Sequence, residues 1–151
     1  YRELARCVQK ICRESSVKMF VHSDISAAEY AGCANVHFSM EHFKQMCSEQ
    51  AEAINKLDCV SVSCHSVEEA VYAAGAGADQ IVVGTIFETQ CKPGKTGAGL
   101  EFLEEVCAAA RKINPDVKIY AIGGIKPDNI EKILEAGADG GCMMSWFMQY
   151  K

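Results

Sequence analysis

The sequence predicts an alternating α/β protein built on a parallel sheet, and three observations carry that reading. Short apolar runs the length of a buried strand, VKMFV at 17–21 and Ile81 to Val83 among them, alternate with longer segments of helical apolar spacing. The passage from helix to strand is repeated three times, as AGCANVHF at 31–38, AGADQIVVG at 76–84 and AGADGGCMM at 136–144. In each, glycine stands where a helix ends in the left-handed conformation, which a residue without a β-carbon adopts freely. Polar residues then crowd the far ends of the strands, where parallel α/β sheets keep their chemistry. One exit used three times means a repeated βα unit, and repeated βα units build a parallel sheet.

Taken in order, residues 1–14 place Leu4, Ala5, Val8, Ile11 and Cys12 at amphipathic helical spacing. This helix starts without a cap, so the reading expects a domain that is N-terminally incomplete over 1–151. A strand at 17–21 leads to His22, Ser23 and Asp24; a short helix at 26–31 leads to a strand at 36–38; a single helix is expected over 40–57, then a strand at 59–63. Ser66 opens the next helix as S-V-E-E, a hydroxyl cap with Glu69 three residues on, the pattern in which each side chain satisfies the other's exposed amide. Strands at 80–84, 117–122 and 139–143 and a helix at 100–113 complete the pattern. Six parallel strands and a mid-helix start suit a (β/α)8, or TIM, barrel seen without its first two strands. A complete, open doubly wound sheet is the other architecture with this alternation.

The totals narrow the function. The 151 residues, about half of them apolar, fit one globular domain, and a net charge of −5 with mixed signs lacks the basic face of a nucleic-acid binder. No apolar run approaches the roughly 18 residues that span a bilayer, and no secretory leader is expected. Nine cysteines, an odd count without any C-x-x-C pair, read as reduced thiols; Cys7, Cys12, Cys47, Cys59 and Cys107 lie within apolar patterns. A cytoplasmic location follows from that reading.

The candidate chemistry lies at the strand ends. The segment 80–99, QIVVGTIFETQCKPGKTGAG, places Thr85, Glu88, Thr89, Cys91, Lys92 and Lys95 on a long loop between a strand and a helix. Ser63 and His65 end the preceding strand. YAIGGI at 120–125 ends a strand in Gly123 and Gly124, whose backbone can approach a ligand and offer N–H donors to phosphate. GCMMSW at 141–146 sets Met144 and Ser145 at the start of a terminal helix. In a barrel these last two strand ends form the phosphate site. Cys91 beside Lys92 is a candidate nucleophile or an incidental thiol. His37, inside a strand, reads as a hydrogen-bonded core residue, while His22, His42 and His65 end separate elements without ligand spacing.

The motifs VHFSMEHF, VSVSCHSVEEA, VGTIFETQCKPGKTGAG, AIGGIKPDN and GADGGCMMS, in this order, resemble the thiamin phosphate synthase superfamily, which includes the thiazole tautomerases. The resemblance runs from Val17 to Ser145 and implies the (β/α)8 fold and a role in thiamin biosynthesis. It implies a transferase that condenses a pyrimidine diphosphate with a thiazole phosphate and releases pyrophosphate with the help of Mg2+. The alternatives are a thiazole tautomerase, an isomerase needing no cofactor, and a non-catalytic regulatory homologue that binds the phosphate ligand. By resemblance the thiazole phosphate is held by Gly124 and the backbone around Met144 and Ser145, and Thr89, Lys92 and Ser63 contact the substrates. Lys92, Ser63, His65 and Cys91 are then the catalytic candidates. The chain also departs from the pattern. Where the superfamily has a magnesium-binding Asn-Asp, this sequence has His22 and Ser23, with Asp24 one place later as the remaining metal candidate, and His42 replaces a second carboxylate. The tautomerase histidine is matched by Thr85. The partner expected is a small phosphorylated substrate, with neither nucleic acid nor membrane, and assembly into a homo-oligomer is left open.

Overall fold

The computed structural model describes residues 1–89, 94 and 96–149. Its six strands form one parallel sheet in chain order, and the sheet is not closed. The chain divides into two compact units, residues 1–62 and 63–151.

The first unit contains α1 (Arg2–Glu14), β1 (Val21–His22), α2 (Ile25–Ala31), β2 (Asn35–Ser39), α3 (Met40–Glu49), α4 (Ala51–Ile54) and most of β3 (Cys59–Cys64). Its sheet has two unlike faces. Val21, Val36, Phe38, Val60 and Val62 are buried, whereas the alternate positions carry His22, Asn35, His37, Cys59 and Ser61. His22 and His37 are paired in register on β1 and β2, with ring centroids 5.8 Å apart. Ser61, wholly buried, meets His37 Nδ1 at 2.8 Å, so the expectation of a hydrogen-bonded His37 holds.

Two elements of this unit are shorter than the sequence suggests. Of the strand expected at 17–21 only the end is paired, because Val17 is exposed and the Met19 carbonyl is taken by side chains, Asn35 Nδ2 at 3.0 Å and Cys33 Sγ at 3.2 Å. The helix expected over 40–57 breaks at Gln50, whose φ of −142° and ψ of 42° lie outside the helical region. At 100° per residue an unbroken helix would set Ile54 about 80° round from Met46; with the break, both are buried. Asp24 caps α2, accepting from the Ala27 amide at 2.8 Å and the Ser26 hydroxyl at 3.0 Å through the same oxygen.

The second unit continues through α5 (Val67–Gly75), β4 (Gln80–Gly84), α6 (Gly99–Ile113), β5 (Lys118–Ile122), α7 (Ile130–Glu135), β6 (Gly140–Cys142) and α8 (Met144–Phe147). Gln80–Gly84 pairs with Lys118–Ile122 residue for residue, and Tyr120–Ile122 pairs with Gly140–Cys142. Ala70, Ala73, Leu103, Val106, Ala110, Ile119, Ala121 and Ile133 are buried to 0% exposure, so small helix faces lie against a β-branched sheet face. At the amino ends of the strands Asp139 accepts from Arg111 at 2.7 Å, Lys118 at 3.1 Å and the Ile119 amide at 2.9 Å.

All three repeated junctions behave as the sequence implies. Gly32, Gly77 and Gly137 have φ of 66°, 86° and 93°, and the amide after each, at Cys33, Ala78 and Ala138, returns to a carbonyl five residues back at 2.8–3.0 Å. That bond closes each helix and starts the following strand at a fixed offset.

The cap on α2 gives a stability test. The Ala27 amide first, then the Ser26 hydroxyl, hold the Asp24 carboxyl below the usual carboxylate range. Its contribution is therefore complete above about pH 4 and is lost as pH falls through the lowered value. Asp24→Ala is expected to cost about 1 kcal/mol at neutral pH, whereas Asp24→Asn keeps a cap and removes the acid-dependent part. Urea midpoints across the acid range check both.

Candidate functional site

The site is built where β4 leaves the sheet. Pairing of β4 with β5 does not stop at the strand ends: Ile86 N donates to Ile122 O and Phe87 N to Gly123 O, both at 3.0 Å. The exit segment is thereby zipped along the Gly123–Gly124 turn, and the approach leaves no room for side chains on the glycines. A β-carbon at Gly123 would stand 2.4 Å from Thr85 Cγ2, and one at Gly124 would stand 2.7 Å from Glu88 O. Both also have positive φ, 101° and 64°. The loop that follows is tied at its base, since Ala98 N donates to Thr85 O at 2.9 Å and Gly99 N to Ile86 O at 3.0 Å. On the other side Asn129 braces the turn, donating to Gly124 O at 3.0 Å and accepting from Lys126 N at 2.8 Å.

These segments enclose a cavity of about 490 Å3. Thr85, Glu88 and Thr89 line it from the β4 exit, Gly123 to Lys126 from the β5 turn, and Cys142, Met144, Ser145, Trp146 and Gln149 from the chain's last stretch. Among the described residues, the amides of Gly124 and Ile125 meet no acceptor, the Glu88 carboxylate meets no donor, and the Lys126 ammonium meets no acceptor. Two adjacent N–H donors and a cation on one wall make an anion-binding concavity. Burial pushes up the Cys142 thiol, which lines the same cavity and stays protonated near neutrality.

Of the residues expected from sequence, Thr89, Gly123, Gly124, Met144 and Ser145 come together around this cavity. Met144 and Ser145 are the first two residues of α8, as expected. Lys92 and Cys91 lie outside the described residues. Ser63 and His65, the other catalytic candidates, are not among the lining residues. His65 instead sets Nδ1 against Gly84 O at 2.5 Å. Sequence reasoning passed over Lys126 and Trp146; the signal for Lys126 was its place directly after the G-G-I turn.

Asp24, the metal candidate, has a partner within the fold. Its Oδ1 is committed to the α2 cap, and no group of three or more His, Cys, Asp or Glu side chains that could hold a metal occurs among the described residues. His42 packs edge-on against Phe38 at 5.4 Å, and burial, with His22 nearby, lowers the pKa of His37. Imidazoles in such settings do not replace the hard oxygen ligands of magnesium, so the described residues do not fit that ion.

A parallel α/β sheet with a glycine-walled cavity beyond its last strand ends defines an α/β protein of barrel type. The comparisons give the family. The sequence model of the thiamine monophosphate synthase family matches residues 1–147, and the chain belongs to that family. It is 32% identical over 146 residues to the thiamine-phosphate synthase of Lysinibacillus sphaericus, covering 96% of this chain and 65% of the relative. It is 35% identical to the enzyme of the same name from Geobacillus thermodenitrificans, covering 94% of this chain and 62% of that one. A solved structure of thiamine phosphate pyrophosphorylase from Pyrococcus furiosus superposes with a TM-score of 0.74 at 26% identity, covering 95% of this chain and 65% of that chain. The chain thus spans a little under two thirds of the length of these relatives. The similarity agrees with the open sheet and with the barrel-type fold expected from the sequence.

The interlock at Gly123 is testable without a ligand. Gly123→Ala forces a β-carbon into Thr85 and a positive φ onto an L-residue, and is expected to destabilise the protein by about 2 kcal/mol or more. The urea midpoint of the variant checks the value.

Proposed function

We propose that this chain carries the thiazole phosphate half of a thiamin phosphate synthase site: a transferase that joins a pyrimidine diphosphate to a thiazole phosphate with release of pyrophosphate. The observation that carries this reading is the pair of amides at Gly124 and Ile125, unengaged among the described residues, on the cavity wall beside Lys126. Backbone donors fixed in a turn need no reorganisation to meet a phosphate, and Lys126 adds charge to the same wall. In this reading Thr85, Thr89 and Ser145 add hydroxyl contacts, and Trp146 provides an apolar surface for the flat heterocycle. Lys92 and Cys91 belong to the proposal through the resemblance of their loop alone, and Ser63 through the resemblance of its strand end.

The names of the relatives support the transferase reading, since each is a thiamine-phosphate synthase or pyrophosphorylase. A single domain over 1–151, a cytoplasmic location, a small phosphorylated substrate and a homo-oligomeric state belong to the same proposal. No helix among the described residues is long and apolar enough to cross a membrane. A second reading, a phosphate-ligand binder without turnover, is favoured by the engagement of Asp24 as a helix cap.

Calorimetric titration with thiazole phosphate tests the cavity. Lys126→Ala is expected to raise the dissociation constant about tenfold, the worth of one charge-assisted contact. Unchanged affinity in Lys126→Ala would place the ligand elsewhere. Pyrophosphate release from the pyrimidine diphosphate, with and without magnesium, then separates the two readings. Turnover establishes the transferase. Tight binding with neither release nor isomerisation of the thiazole establishes the binder.

A further inference from the structure

We infer that His65 is a positioning residue that sets one wall of the cavity by clamping the Gly84 carbonyl, so that its imidazole acts through Thr85 rather than as an acid or base. The inference deepens the proposed function, on which its ligand-binding arm rests.

The chemistry of the contact fixes the direction of the bond. His65 Nδ1 lies 2.5 Å from Gly84 O, and a carbonyl oxygen only accepts, so the proton is on Nδ1. The ring is held at its other end by its own backbone. The His65 amide donates to Glu69 Oε2 at 2.6 Å, and Ser66 Oγ accepts from the Glu69 amide at 3.2 Å. The S-V-E-E pattern therefore caps α5 as expected, with one difference: the glutamate reaches the amide before the serine rather than the serine's own. That shift places the backbone of His65, not of Ser66, under the carboxylate, and the imidazole projects from a fixed point.

From Gly84 the constraint passes to the cavity through contacts already described. Gly84 is packed so closely on β5 that a β-carbon would stand 2.4 Å from Ile122 Cγ2 and 2.5 Å from Ile122 O. The next residue, Thr85, lines the cavity and abuts Gly123. His65 itself is absent from the lining, which separates it from residues that touch a ligand. The first turn of α5, His65, Gly84, Thr85 and Gly123 thus form one continuous line of contacts ending at the proposed phosphate wall.

The test compares three variants. An asparagine amide places its nitrogen where Nδ1 sits and cannot titrate; a glutamine amide reaches one bond too far; alanine removes the donor. Amide hydrogen exchange of unliganded protein at Ile86 and Phe87 reads the clamp directly, with the core amide of Ala110 as a control for global unfolding. His65→Ala and His65→Gln are expected to speed exchange at Ile86 and Phe87 about tenfold without moving Ala110, and His65→Asn to stay within about twofold of the parent. In the ligand arm, the dissociation constant of thiazole phosphate follows the same order. Exchange unchanged in His65→Ala, or His65→Asn behaving as the alanine variant, overturns the inference. So does a His65→Asn protein that keeps slow exchange and ligand affinity but loses turnover, because the missing function is then proton transfer. If no variant, the parent included, binds thiazole phosphate while the exchange pattern appears, the positioning role stands and the functional reading fails.

Discussion

The architecture of the second unit depends on one close approach, that of the β4 exit to the Gly123–Gly124 turn. Two ladder bonds beyond the strand ends bring Thr85 and Phe87 so near the turn that neither glycine has space for a side chain. The same approach has two consequences. It leaves the Gly124 and Ile125 amides without partners among the described residues, and it brings Ala98 and Gly99 back to the carbonyls of Thr85 and Ile86. The proposed anion site thus follows from how two adjacent strands end, in keeping with the placing of ligands at the carboxyl edges of parallel sheets.

Much of this was legible in the residues. The three alanine–glycine junctions announced the repeated unit, because only glycine enters the left-handed helix stop without steric cost, and all three have positive φ. The turn at Gly123 and Gly124 was legible for a related reason: a glycine pair at the end of an apolar run suits a tight turn, and this one lines the cavity. The strand at 17–21 and the helix over 40–57 were read too long, because periodicity records which side chains are apolar and not which backbone groups find partners. At Met19 side chains took the carbonyl, and at Gln50 the backbone turned to bring Ile54 inward. Neither event leaves a trace in hydrophobic spacing.

His65 shows a second kind of limit. From sequence it is a histidine at a strand end, a residue type used for proton transfer, and so a catalytic candidate. In the structure its Nδ1 meets a backbone carbonyl 19 residues away, and backbone acceptors are invisible to residue-type patterns. Asp24 is a similar case, since its chemistry suits a hard cation and one of its oxygens, Oδ1, is already bound to the Ala27 amide and the Ser26 hydroxyl. In both cases the side chain was judged by what it can do, and the fold decided what it was free to do.

The first unit sharpens the point about magnesium. A parallel sheet is ordinarily apolar on both faces, yet here one face carries His22, Asn35, His37, Cys59 and Ser61 across three strands. Polar groups on such a face must be satisfied, and Ser61 and His37 satisfy one another at 2.8 Å. The imidazole of His37 is held neutral near physiological pH by burial first and by His22 second, so this face offers hydrogen-bond donors and acceptors without fixed negative charge. His22 and Ser23 thus end the strand without a carboxylate of their own, and the charge at this end is that of Asp24, ionised at neutral pH and engaged through Oδ1 in the cap of α2.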